Sequence, residues 1–307
     1  MEFMTTVAPV LTSTDVHAAA QRIGRYARRT PVMHTEIDGR ALVLKLEYLQ
    51  RSGSFKLRGA LNGLLTGSPT DHVVAASGGN HGLGVATAAA LLDMAATVFV
   101  PESVPAMKAR YIEAAGARLI RHGSTVAEAA EAASEFAAQP GHRFVHPYDD
   151  AAVVAGQGTL GVEIVEDAPE VDSVVVAAGG GGLAAGTALA IGDRTTVTVE
   201  PTNCRAVHDG LAAGTPVDSP VDSIAASALG ASRIGELPLA VLRGHDVESL
   251  LVSDEQLLSA RDRLWEELRI AVEPAAAAPL AAWLAGQVPG GMPCLVICGA
   301  NADWKAQ

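Results

Sequence analysis

Short runs of β-branched residues alternate with longer alanine-rich stretches along most of this chain, and the alternation predicts strands separated by helices. Val73–Ala76 reads as a buried strand, Leu83–Asp93 as a helix, Thr97–Val100 as a strand, Pro105–Ala115 as a helix, Arg118–Ile120 as a strand, Thr125–Ala138 as a helix and Phe144–Val145 as a strand. A run of this βαβαβαβ form makes a parallel sheet with right-handed crossovers. A second series starts at the strand Ser173–Ala177, passes through a helix over Gly179–Ile191 to the strand Thr195–Val199, continues with helices at Ser253–Leu268 and Ala275–Ala285, and closes on the strand Cys294–Ile297.

Ala41–Leu46 is strand-like as well and leads into a turn and helix around Ser52–Leu65. The outer series therefore encloses the inner one. The expected architecture is α/β, with two parallel-sheet domains: a large domain from residues 1–65 and 147–307, and a small domain from residues 66–146 inserted in it. The Asp, Pro and Ser-rich stretch Thr215–Ser223 reads as a surface loop.

The chain has 307 residues, 49% of them hydrophobic and only 4% aromatic, so its cores are built from small aliphatic side chains. A net charge of −12 with no basic run disfavours nucleic acid and anionic membrane surfaces as partners. The most apolar long stretch, Leu83–Val100, is interrupted by Asp93 and reads as helix plus strand, not as a membrane span. Cys204, Cys294 and Cys298 are odd in number and lack metal-ligand spacing, which fits a reducing cytoplasm. Arg22, Arg25, Arg28 and Arg29 read as a solvated or subunit-facing cluster on a first helix, and His34, His72, His122, His142, His208 and His245 as surface or loop residues. Only four of the 22 basic residues are lysine: Lys45, Lys56, Lys108 and Lys305.

Two glycine-rich turns follow strands and open helices. Gly179, Gly180, Gly181 and Gly182, followed by Leu183, present bare backbone N–H groups at a helix N-terminus, the arrangement that holds a phosphate. The spacing Gly179-x-Gly181, with Gly186 and Glu200 downstream, also overlaps a dinucleotide pattern. The second turn runs Ser77-Gly78-Gly79-Asn80-His81-Gly82, where backbone amides, the Ser77 hydroxyl and the Asn80 amide could bind a carboxylate or a ring oxygen. Two such turns in facing domains point to a ligand system with both phosphate and carboxylate. Lys56 lies in Ser52-Gly53-Ser54-Phe55-Lys56-Leu57-Arg58-Gly59-Ala60, next to an aromatic and near an arginine. An amine forms an imine only when neutral, and desolvation by Phe55 with a positive neighbour in Arg58 would depress its pKa.

The segments 52–60 and 77–82 occur in order with His146-Pro147-Tyr148-Asp149-Asp150, Ala155-Gly156-Gln157-Gly158-Thr159, 179–183, Val199-Glu200-Pro201 and Cys298-Gly299-Ala300-Asn301. Together they resemble the serine/threonine dehydratase and serine racemase group of fold type II pyridoxal phosphate (PLP) enzymes, over nearly the entire chain. The resemblance implies that Lys56 forms the imine with PLP and that Phe55 flanks its ring. It implies that Gly179, Gly180, Gly181, Gly182 and Leu183 hold the phosphate, that Asn80 bonds the 3-oxygen, and that Cys298 faces the pyridine nitrogen. Ser77, Gly78, Gly79, Asn80 and His81 would then receive the substrate, and the working unit would be a homodimer. A thiol opposite the ring nitrogen leaves that nitrogen unprotonated and the ring a modest electron sink, which favours prompt loss of a β-substituent.

The implied reaction is α,β-elimination of L-threonine or L-serine to a 2-oxo acid and ammonia, with Lys56 as general base and the cofactor phosphate assisting the departing hydroxyl. Serine racemase or hydroxyaspartate dehydratase are alternatives within the group. Its racemases carry a serine where this chain has Gly78, which favours the dehydratase. A nucleotide-binding oxidoreductase built on the Gly179 loop, or a catalytically silent PLP-binding protein, are alternatives of another class. Some members of the group bind a divalent metal through Glu, a backbone carbonyl and Asp; the matching positions here are Glu200, Cys204 and Ala206, so no divalent metal is expected, while a monovalent cation on backbone carbonyls would leave no trace. Six residues follow Asn301, so no amino-acid-binding regulatory domain and no feedback by isoleucine are expected.

Overall fold

The computed structural model describes residues 11–67, 70 and 72–302, which leaves Lys305 outside the described residues. Its strands are β1 (Val32–Ile37), β2 (Arg40–Lys45), β3 (His72–Ala76), β4 (Ala95–Val100), β5 (Arg118–Arg121), β6 (His142–Phe144), β7 (Ser173–Ala177), β8 (Thr195–Pro201), β9 (Val247–Val252) and β10 (Pro293–Val296). The helices before the second series are α1 (Ser13–Ile23), α2 (Lys56–Leu65), α3 (Asn80–Leu91), α4 (Ala106–Ala114), α5 (Val126–Ala137) and α6 (Ala151–Asp167). Those after it begins are α7 (Gly182–Ala190), α8 (Ala206–Ala213), α9 (Ala226–Leu229), α10 (Glu236–Leu242), α11 (Asp254–Leu268) and α12 (Ala278–Leu284).

Four strands, in the order β5-β4-β3-β6, form an all-parallel sheet. Along β3 the side chains alternate: Val73 and Ala75 enter a core with α2 and α3, while Val74 and Ala76 enter a second with Phe99 and α5. The other six strands, in the order β1-β2-β10-β7-β8-β9, are parallel except at one edge. There β1 pairs antiparallel with β2 through a two-residue turn at Asp38 and Gly39, both at positive φ (52° and 71°). The polar sequence of β1 suits an edge, and its weak alternation explains why patterning overlooks it. The α/β class with parallel sheets is as expected.

Helix α6 differs most from its sequence signal. Patterning assigns no element to its glycine-bearing segment, which sits in a 17-residue helix wedged between α2 and α7. A Cβ on Gly156 would lie 2.6 Å from the Arg58 carbonyl oxygen, and one on Gly186 of α7 would lie 2.5 Å from the Gly158 nitrogen. Gly186 is therefore a packing residue between helices, not part of a dinucleotide fingerprint.

Arg25, Arg28 and Arg29 of the arginine cluster are exposed, as a solvated surface requires, but the cluster is not on one helix. α1 ends at Ile23, and only Arg22 lies on it. Arg22 bonds the Asn62 side chain, Arg28 the Leu49 carbonyl (2.8 Å), and Arg29 pairs with Glu166 (2.9 Å) and Asp167 (2.6 Å). These side chains tie the N-terminal segment to its own fold. His72 and His142 lie on adjacent strands, with rings stacked 4.8 Å apart against Phe136, and are no loop residues.

Candidate active site

Lys56 is the first residue of α2, and the turn before it is held against the end of the six-stranded sheet. Ser54 forms a bridge with Gly299, Phe55 N donates to the Cys298 carbonyl (3.0 Å), and Ala300 N donates to the Gly53 carbonyl (2.9 Å). The Lys56 Nζ donates to the Pro147 carbonyl at 2.7 Å and stands 5.3 Å from the Phe55 ring centre. Burial pushes its ammonium down to about 8.

Arg58 does not supply the positive neighbour that sequence assigns to it. Its guanidinium points away, into a buried network with both oxygens of Glu47 (2.7 and 2.9 Å) and both of Glu163 (2.8 Å each). Lys45 completes the cluster at 2.5 Å from Glu163. The low value at Lys56 comes from desolvation, and Arg58 instead bolts the first turn of α2 to the 3-10 turn after β2 and to α6.

The loops converge on this lysine. Tyr148, next to the Pro147 that accepts from Lys56, lays its ring on Gly180 where a Cβ would stand, and its backbone lies 3.0 Å from the corresponding position at Gly182. Gly181 sits at φ +88° as the N-cap of α7, whose N-terminus has no side-chain cap. Helix α3 begins at Asn80, also without one, and a Cβ at Gly84 in its second turn would be 3.1 Å from the Lys56 carbonyl carbon. Gly79 N donates to the Ser77 hydroxyl (3.2 Å), which shapes the turn, and a Cβ at Gly78 would be 2.5 Å from Val104 Cγ2. The His81 Nε2 donates to the Val145 carbonyl (2.9 Å), and burial with the nearby Lys56 charge pushes it down to about 3. That imidazole is neutral, so an anion at the Ser77–His81 turn meets amide dipoles and a helix N-terminus, not a cation.

Cys298 is buried beside Phe55, and desolvation raises its thiol well above the ordinary range, so it stays protonated. Two residues of the site receive no role from the sequence. Glu273 is buried and accepts from Asn80 Nδ2 at 2.6 Å; burial raises its carboxyl pKa. His146 accepts from the backbone N–H of Asp149 (2.8 Å) and Tyr148 (3.3 Å) through Nδ1, which leaves its proton on Nε2. The signal for Glu273 is the tripeptide Val272-Glu273-Pro274, a repeat of Val199-Glu200-Pro201.

Glu200 itself is occupied elsewhere. Its two oxygens accept from Val207 N (2.9 Å) and His208 N (2.7 Å), capping α8. Among the described residues no three His, Cys, Asp or Glu side chains gather as a metal site, and no helix is long and apolar enough to cross a membrane.

The protein thus directs uncapped N-termini of α3 and α7 and one desolvated lysine at a single cleft, a donor set for a phosphate, a carboxylate and an aldehyde. A family model described as pyridoxal-phosphate dependent enzyme matches residues 23–299. The chain belongs to that family. It is 37% identical over 310 residues to L-threonine ammonia-lyase of Geobacter sulfurreducens, covering 96% of this chain and 77% of the relative. With the catabolic L-threonine dehydratase of Staphylococcus aureus it shares 34% identity over 293 residues, covering 92% and 85%. Among solved structures, a threonine deaminase from T.th. superposes with a TM-score of 0.90 at 35% identity, over 97% of this chain and all of that one. Maize serine racemase gives 0.91 at 30%, over 96% and 95%.

The chain is a PLP-dependent lyase of this family, and the cofactor fits the residues present. Lys56, as the imine-forming amine proposed below, has to be neutral to take up the aldehyde. With its pKa at about 8, about a tenth of the amine is neutral at pH 7, against roughly one part in 3,000 for an ordinary lysine. The rate of PLP uptake by apoprotein, followed by visible absorbance, should rise about tenfold from pH 6 to pH 7 and level off above about pH 8. A rise continuing to pH 10 would mark an ordinary solvated lysine.

Proposed function

We propose that this protein converts L-threonine, L-serine or both to the corresponding 2-oxo acid and ammonia. The observation that carries the reading is Lys56, desolvated between Phe55 and Pro147 and faced by two anion-receiving helix ends on opposite sheets.

In this reading the Gly179–Gly182 amides and that of Leu183 hold the PLP phosphate, and Asn80 donates to the 3-oxygen. The turn Ser77, Gly78, Gly79, Asn80 and His81 seats the substrate carboxylate and aligns the bond to be broken. Bound PLP supplies an electron-withdrawing π system at the substrate Cα. Lys56 Nζ would take the Cα proton as the Cα–Cβ double bond forms and the Cβ–O bond breaks, the β-hydroxyl would leave as water with a proton supplied by the cofactor phosphate, and hydrolysis of the released enamine would give ammonia and the 2-oxo acid. The neutral Cys298 thiol offers the ring nitrogen no carboxylate, which favours expulsion of the β-substituent over a long-lived carbanion.

Gly78 supports elimination over racemisation. Val104 fills the space in which a side chain at position 78 would begin, so the face of Cα opposite Lys56 receives no second acid or base from this position. We read the working unit as a homodimer, as the family resemblance implies, and its compartment as the cytoplasm, where the buried and unpaired Cys204, Cys294 and Cys298 stay reduced.

The test supplies L-threonine, L-serine, D-serine and 3-hydroxyaspartate to PLP-loaded protein and measures 2-oxo acid and the configuration of the amino acid left over. Elimination of L-threonine or L-serine, with racemisation slower than oxo-acid release, is expected. Faster racemisation, or turnover of 3-hydroxyaspartate alone, would replace this reading by its neighbour in the family.

A further inference from the structure

Ser52, Asn80, Glu273 and Asn301 come from four separate segments, and the fold joins them in one directed chain of hydrogen bonds. Asn301 Nδ2 donates to the Ser52 carbonyl (2.8 Å) and to Asn80 Oδ1 (2.8 Å). Asn80 Nδ2 donates to Glu273 Oε1 at 2.6 Å. The direction is forced from one end. A backbone carbonyl only accepts, so the nitrogen of Asn301 must face Ser52; the same nitrogen must then meet the oxygen of Asn80, which turns the Asn80 nitrogen to Glu273. Each carboxamide has a single orientation that satisfies its neighbours.

Two glycines make room for this chain. At Gly53, with φ +72°, the Asn301 Oδ1 atom occupies the place of a Cβ; at Gly299 a Cβ would lie 2.5 Å from Glu273 Oε1 and 3.3 Å from Asn80 Nδ2. Asn80 and Glu273 are only 8% and 5% exposed, so an unmet donor or acceptor here is costly. The chain also borders the reacting lysine, because Gly299 pairs with Ser54, two residues before Lys56.

A carboxamide has two N–H groups, and Glu273 takes one of those on Asn80. We propose that Glu273 and Asn301 are positioning residues that lock Asn80 so that its second N–H, and never its oxygen, meets the 3-oxygen of bound PLP. A reversed Asn80 would set an acceptor against an anionic oxygen. The inference rests on the functional reading above and extends it to two residues outside the cofactor and substrate loops.

The test uses the full chain as wild type, Asn301→Asp, Glu273→Gln and Glu273→Leu. It measures the PLP dissociation constant by titration of apoprotein, the position of the visible band of the loaded protein, and the apoprotein melting temperature. Asn301→Asp puts acceptors against both Ser52 O and Asn80 Oδ1, and it should weaken PLP binding about tenfold with a displaced band, while the apoprotein still melts cooperatively at a moderately lower temperature. Glu273→Gln keeps an acceptor for Asn80 and should stay within about twofold of wild type, while Glu273→Leu should lose as much as Asn301→Asp. Equal PLP affinity and an unmoved band in all four proteins overturn the locking role alone. A glutamine variant as damaged as the leucine variant overturns it too. A wild-type chain that takes up no PLP overturns the functional reading, and the locking role with it.

Discussion

Lys56→Ala protein, purified in the presence of PLP, is expected to be colourless in the visible and to release 2-oxo acid from L-threonine or L-serine at least about 1,000-fold more slowly than wild type. In the proposed reading the side chain has two duties at one atom: its Nζ would bind the cofactor aldehyde, and the same nitrogen would take the Cα proton. Alanine removes both, and arginine cannot replace either, since a guanidinium stays protonated and forms no imine. Among the described residues the Lys56 ammonium makes no ion pair, and its hydrogen bond goes to the Pro147 backbone carbonyl. The variant should therefore fold with wild-type melting behaviour. Visible absorbance, an oxo-acid assay and a melting curve decide the matter, and a yellow, active Lys56→Ala protein would remove the lysine from its role.

Arg58→Met is expected to have the largest effect on stability, about 3–5 kcal/mol, because it strips one partner from a buried charge cluster. Lys45 would still neutralise Glu163. Glu47, fully buried, would keep only the Thr30 hydroxyl as a direct side-chain partner, with the Lys45 charge acting on it without a hydrogen bond. Denaturant unfolding measures the loss, and Arg58→Met combined with Glu47→Leu should recover part of it, since the orphaned carboxylate is then gone. A loss below about 1 kcal/mol would show that the cluster carries no weight. The cluster also sets the acid limit. Arg58 holds the Glu47 carboxyl below its ordinary value, so this part of the stability is fully present above the unfolded-state pKa of about 4.3 and drains away as the pH falls through the lower folded-state value.

Much of the fold is legible in the sequence where one element type has one cause. β3, β4 and β7 are largely apolar runs because both faces of each sheet are covered, and such runs are hard to mistake, while β8 is buried as fully but mixes threonine with valine. α6 is hard to read because its three glycines lower helix propensity, and their reason lies in two other helices that sequence cannot place. The site divides along the same line. Lys56 and the two glycine turns are local patterns with a chemical reason and stand out in a chain poor in lysine. Glu273 is one acidic residue among 34 until the fold sets it against Asn80 and Gly299. Arg58 misleads for the complementary reason: adjacency along a helix says nothing about direction, and its side chain leaves the first turn of α2 on the side away from the amine.

The glycine contacts of α6 act as a gauge. On one side Gly156 lets this helix touch the backbone at Arg58, and on the other Gly158 lets it touch Gly186. The separation between α2, which bears Lys56, and α7 is thus one helix thick, with glycine at the points where the backbones come closest. A methyl group added at Gly156 or Gly158 would widen the span that a single cofactor molecule must bridge. Such variants would present as cofactor-binding defects although neither position touches the ligand, so a mutational survey of this protein would map part of its active site onto a helix buried behind it.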